Sequence, residues 1–124
     1  MIHEIPFHMV TDSSDQTCMA VFTKDWEWTN SAGKTWAHKK GDSSDGHTRG
    51  KYFRAFDSLV IAALNHDQDC VRANKAKSYA IRIQGDKDYK FNLIDLGASK
   101  AVANISYAGV RVFAYKLKIS GRLK

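Results

Sequence analysis

Lys51-Tyr-Phe-Arg-Ala-Phe-Asp-Ser-Leu-Val-Ile-Ala-Ala-Leu-Asn-His66 is the most apolar stretch of the chain, and its spacing is helical. Phe56, Leu59, Val60 and Ala63 fall at i, i+3, i+4 and i+7, one stripe of a helix, and Phe53 and Leu64 extend it. Asp57 and Ser58 stand where a first turn leaves backbone N–H groups open, a position that suits short polar acceptors. His66 reads as a surface residue in the last turn. The stretch predicts one main helix over about 55–66, with strands on either side.

Upstream, residues 2–10 alternate, with Ile5, Phe7 and Met9 on one side and Glu4, Pro6 and His8 on the other. Pro6 cannot donate to a ladder, so this strand belongs at an edge. Thr11 to Asp15 is a turn by composition, and residues 17–24 resume as a strand. Trp26 and Trp28 share a strand face, Asn30 to Gly33 reverses the chain, and Trp36 returns beside Trp28. This tryptophan cluster either covers one end of a core or stacks on bases, with Lys34, Lys39 and Lys40 beside it. Residues 39–51 hold no large apolar side chain and read as a flexible polar loop.

Downstream, Asp67-Gln-Asp69 can cap a second short helix with a basic outer side at Arg72, Lys75 and Lys77. Tyr79, Ile81 and Ile83, then Tyr89, Phe91 and Leu93, alternate about Gly85-Asp-Lys-Asp88, which predicts a β-hairpin over 78–94. Ala98, Ala101, Val102 and Ile105 predict a helix to about Tyr107, closed by Gly109. Phe113, Tyr115, Leu117 and Ile119 predict a last strand over 110–119. The sum is an α+β domain, residues 1–124, with a mostly antiparallel sheet and the helices packed on one face.

At 124 residues and 44% hydrophobic, the chain can build one core, and no apolar run approaches the ~20 residues of a membrane span. The N-terminus has no basic-then-apolar leader, which predicts a cytoplasmic protein. Cys18 and Cys70 are too few and too far apart for a disulfide scaffold or a zinc site. Net charge is +6, and its distribution is lopsided. Residues 63–124 carry twelve Lys/Arg against five Asp/Glu, whereas residues 1–62 carry seven against eight. That asymmetry points to an anionic partner, with nucleic acid or a nucleotide first.

The residues placed for such contacts are Arg72, Lys75, Lys77, Arg82, Lys90, Arg111, Lys116 and Lys118. If the hairpin pairs with the last strand, Arg82, Lys90, Lys116 and Lys118 share one exposed surface. Lys39, Lys40, Arg49 and Lys51 add loop contacts. The catalytic alternative is a small metal-independent ribonuclease in which His38 and His47 move protons to and from RNA. No nucleophile elbow, phosphate loop or complete calcium loop is present: Gly33-Lys-Thr35 lacks its upstream glycine, and Asp42 and Asp45 lack the further carboxylates. No cofactor, metal or membrane contact is expected. Small size without motifs is also a trait of phage proteins that bind and inhibit a host defence complex, here the second function considered. In that case the location is the host cytoplasm.

Overall fold

A computed structural model describes residues 4–11, 18–47 and 57–124, and the fold is α+β. The chain divides into two compact units, residues 1–64 and 65–124. The predicted turn at 11–15, the aromatic residues Phe53 and Phe56, and the cations Arg49 and Lys51 all fall wholly or partly outside the described residues.

The first unit holds the strands. β1 (Phe7–Thr11) pairs antiparallel with β2 (Cys18–Phe22) from Phe7↔Phe22 to Thr11↔Cys18. β3 (Trp26–Thr29) and β4 (Thr35–His38) form the predicted hairpin, with Trp28 opposite Trp36. Asn30 closes its turn, because one side-chain oxygen accepts the N–H groups of Ala32 and Lys34 at 3.0 Å each. Trp36 is 3% exposed, so it belongs to the packing and offers no free stacking face. β5 (Ser43–Ser44) pairs with the far side of β2. The first part of the 39–51 segment is therefore held as a sheet edge, through backbone bonds such as Gly41 N–H to Phe22 O at 2.8 Å. Its side chains are short and polar, and backbone pairing of that kind leaves no apolar signature. Ile5, Phe22, Val60 and Leu64 make the core, with Phe7, Trp26 and Ile61 packed on it. Each fully buried side chain of this size contributes about 1.5–3 kcal/mol.

The second unit is helical, and here the structure corrects the sequence reading. The main helix, α1, runs Val60–Ala76: it begins later than expected and absorbs the predicted second helix. Asp57 does act at its start, accepting the Leu59 N–H at 2.9 Å. The predicted 78–94 hairpin is a single helix, α2 (Tyr79–Asp95). The predicted helix to Tyr107 and strand 110–119 are likewise one helix, α3 (Lys100–Ile119).

The reason lies in what these helices bury. The inward residues of α2 are Arg82, Gly85, Asp86, Tyr89, Asn92 and Leu93. They have helical spacing, but half are polar or charged, so a search for apolar periodicity passes over them. Its apolar Phe91 and Ile94 stay 41% and 39% exposed. α1 does the same in this unit, burying His66 and Asp69 beside Ala73.

The three helices end alike. At each end the C″ N–H bonds back to the C3 carbonyl, and the C′ N–H to C2: Ser78 to Ala73, Ala98 to Leu93, and Arg122 to Leu117, at about 3 Å each. The C′ residue must be left-handed. Gly97 (φ 105°) and Gly121 (φ 82°) fill two of these places, and Lys77 (φ 51°) the third. Ser78 and Ser99 cap α2 and α3 by accepting the N–H of Ile81 and Val102, each at 3.2 Å. Among the described residues no helix is long and apolar enough to cross a membrane.

Candidate polyanion-binding face

Asp86 organises the helical unit. It is fully buried, and three basic side chains converge on it: His66 Nε2 at 2.7 Å and Arg82 Nε at 3.0 Å meet Oδ1, and Arg111 Nη1 donates to Oδ2 at 2.7 Å. Arg111 also donates to the Tyr79 hydroxyl. One residue from each of α1, α2 and α3 is thus tied to a single carboxylate. Gly85 admits this arrangement, since a Cβ there would lie 2.8 Å from the Cβ of Asp69 on α1.

Five of the residues read from the sequence therefore have other surroundings. His66, expected at the surface, is buried against Asp86 and Tyr89. Arg82, expected on an exposed strand face, is 4% exposed and faces inward. Arg111 is bound to Asp86 and Tyr79, and Arg72 lies 3.6 Å from Asp69. Lys90 stands over the Tyr107 ring. The expected grouping of Arg82 and Lys90 with Lys116 and Lys118 on one sheet face does not form, because no sheet exists there.

What does gather is a corner where the α1–α2 connection meets the end of the chain. The Lys124 N–H bonds to Lys77 O at 3.0 Å, and the Tyr79 N–H to Lys124 O at 3.2 Å, a two-way backbone clasp. Lys118 Nζ stands 4.9 Å from the Tyr79 ring centre. Lys77 and Arg122 share an open depression of about 380 Å³ with Asn74, Leu117 and Gly121. Lys77, Lys118, Arg122 and Lys124 are all exposed. No Asp or Glu follows Asp95, and none occurs between Cys70 and Gly85, so the charged side chains of both segments building this corner are all positive. Lysines in a last helical turn, such as Lys75, Lys116 and Lys118, complement the helix dipole in any case. Lys77, Arg122 and Lys124 lie beyond the helix ends, where that explanation stops. Sequence reading named Lys77 and Lys118 and took residues 120–124 as a basic tail, without placing Arg122 and Lys124 among the contact residues.

The remaining candidates lie in the first unit. Lys39 and Lys40 are exposed at the β4–β5 turn, where Asp25 lies 3.9 Å from the Lys39 amine and accepts the Lys40 N–H at 2.9 Å. His38 is 4% exposed and stacks on Phe22 with ring centres 4.7 Å apart. His47 is 6% exposed, 3.3 Å from Asp57. Neither ring is presented to a polynucleotide.

Cys70 is partly buried, with Sγ 3.7 Å from His66 Nε2. Burial pushes its thiol up to about 12; Arg82 opposes the shift, and Asp67, Asp86 and Asp69 add to it. An unfolded thiol ionises near 8.5. The neutral thiol thus contributes stability that is complete below that pH and is lost as pH rises toward the folded value. Cys70→Ala should therefore lose less thermal stability than the parent chain between about pH 8.5 and 11. At pH 8 the folded thiol should react with an aromatic disulfide reagent at least ~100-fold more slowly than free cysteine. Equal alkaline losses in thermal scans of the two proteins would count against this assignment.

No family model, no curated protein and no solved structure matches the chain.

Proposed function

We propose that this protein is a small, non-enzymatic binding module whose helical unit engages a polyanion, with nucleic acid foremost. The observation carrying this reading is the acid-free corner formed by Lys77, Lys118, Arg122 and Lys124 around Tyr79. Lys77 adds weight. It occupies a left-handed position that glycine fills at the ends of α2 and α3, at a cost of about 1 kcal/mol for a residue with a Cβ. Phosphates approaching this corner would release counterions as the lysines and arginine take their place.

The test is fluorescence anisotropy with labelled single- and double-stranded DNA and RNA, titrated over salt concentration. Affinity should fall linearly on a log–log plot against salt. A variant carrying Lys77→Ala, Lys118→Ala, Arg122→Ala and Lys124→Ala should bind at least ~10-fold more weakly, with a slope shallower by about one per lost phosphate contact. Lys77→Gly alone should separate two effects, raising stability by about 1 kcal/mol while lowering affinity. Absence of binding at low salt on every probe would remove the proposal.

A further inference from the structure

α3 carries a second pattern that polyanion binding does not use. Ala101, Ile105, Ala108, Val112, Tyr115 and Ile119 follow one another at steps of four, three, four, three and four residues. That is the a/d repeat of a helix that pairs side by side with another. The whole run faces outward: Ile105 is 49% exposed, Val112 58%, Tyr115 56% and Ile119 69%. On the same helix Ala103 and Ala114 are fully buried, and Val102, Tyr107, Val110 and Leu117 are half-buried. α3 thus has one apolar seam used within its own unit and one without a helix against it among the described residues.

Three features specify the occupant. β-branched Ile105, Val112 and Ile119 fall at successive equivalent positions; small Ala101 and Ala108 take the alternate positions over the first half, with Gly109 beside Ala108, so a second helix can approach closely there, and Tyr115 fills the alternate position in the second half. A lipid surface gains nothing from such recesses. The seam runs about 27 Å, or roughly two and a half heptads. Its flanks are basic: Lys116 and Lys118 border it at one end and Lys100 at the other, and α3 contains no acidic residue. A second copy would set Lys116 against Arg111 in a parallel pair, and would bring Lys116 and Lys118 toward Lys100 in an antiparallel one. Like charges there disfavour self-pairing, whereas carboxylates on the incoming helix are favoured.

We propose that the outward seam of α3 docks an amphipathic helix of a partner protein whose flanking positions are acidic. Ile105, Val112 and Ile119 enter its apolar face, and Lys116 and Lys118 meet its carboxylates. This surface shares only Lys118 with the polyanion corner; its apolar contacts at Ile105, Val112 and Ile119 lie outside it.

The probe is a synthetic helical peptide of about three heptads with leucine at a and d and glutamate at e and g. Anisotropy should show binding in the roughly micromolar range. The double variant Val112→Ser and Ile119→Ser changes no charge and alters two exposed positions. It should weaken peptide binding at least ~10-fold and leave nucleic-acid affinity unchanged. A peptide with lysine replacing every glutamate should not bind. Circular dichroism of the double variant, expected to match the parent, reports that the fold is intact. Failure of the folded parent to bind the glutamate peptide would overturn the proposal, as would equal binding by the double variant. Self-association of the parent in sedimentation that the double variant abolishes would assign the seam to a second copy, and seam-dependent capture of phosphatidylserine vesicles would assign it to a membrane. Either result also overturns the proposal.

Discussion

Asp86→Ala is expected to cost about 3–5 kcal/mol, enough to remove much of the stability of a unit this small. The carboxylate is fully buried and is the shared partner of Arg82, Arg111 and His66. Removing it leaves two guanidinium groups facing each other without a counter-charge. Arg82 cannot escape, being only 4% exposed. The Arg111 side chain is 20% exposed and can turn partly to water. Arg111→Ala should accordingly cost less than Asp86→Ala, because it leaves the carboxylate with two of its partners. Chemical denaturation of the three proteins orders them. Near-parent stability in Asp86→Ala would mean that the three-helix arrangement does not depend on this centre.

The second large effect is steric. Gly85→Val should destabilise by about 3 kcal/mol, the upper end of overpacking costs. Even the first added atom would sit 2.8 Å from the Cβ of Asp69, which is fixed to the α1 backbone and cannot swing aside. The helix preference gained on replacing a mid-helix glycine is at most about 1 kcal/mol, so the clash wins. Gly109 on α3 gives the control. It has helical backbone and nothing within 4 Å of an added Cβ, so Gly109→Ala should gain about 0.5–1 kcal/mol. Opposite signs at two mid-helix glycines would identify position 85 as the place where α1 and α2 meet closely. A stable Gly85→Val protein would contradict that contact.

The same two positions explain how far the chain could be read before its structure was known. In the first unit, local chemistry and packing agree. Alternation marks β1 and β2, the asparagine–glycine turn joins β3 to β4, and Trp28 meets Trp36 as expected. Asp57 and the Val60–Leu64 segment begin a helix whose apolar face enters that core. Near the candidate corner, the excess of positive charge in the second half was also legible, as were Lys77 and Lys118.

The helical unit was legible as helical only in part, after Asp67-Gln-Asp69 and from Ala98 to about Tyr107, for a physical reason. Its inner faces are built from Asp86, Arg82, His66 and Asn92, groups that cost free energy to bury unless each finds its partner. Those partners come from three helices, up to 45 residues apart in the chain, so no local pattern announces them. Gly85 looked like a turn because the Asp69 side chain that requires it to be small lies on another helix. Phe113 and Tyr115 looked like a strand face because α3 leaves large apolar residues exposed on more than one side, which puts them at alternating places in the chain.

Sequence alone thus determined the class of fold, the two-strand pairings and the side of the chain on which positive charge accumulates, because these follow from neighbours in the chain. Tertiary structure decided which cations are spent on Asp86 and which remain at the surface. That division depends on which carboxylate a folded chain brings within about 3 Å of a given arginine, and distant segments set that distance.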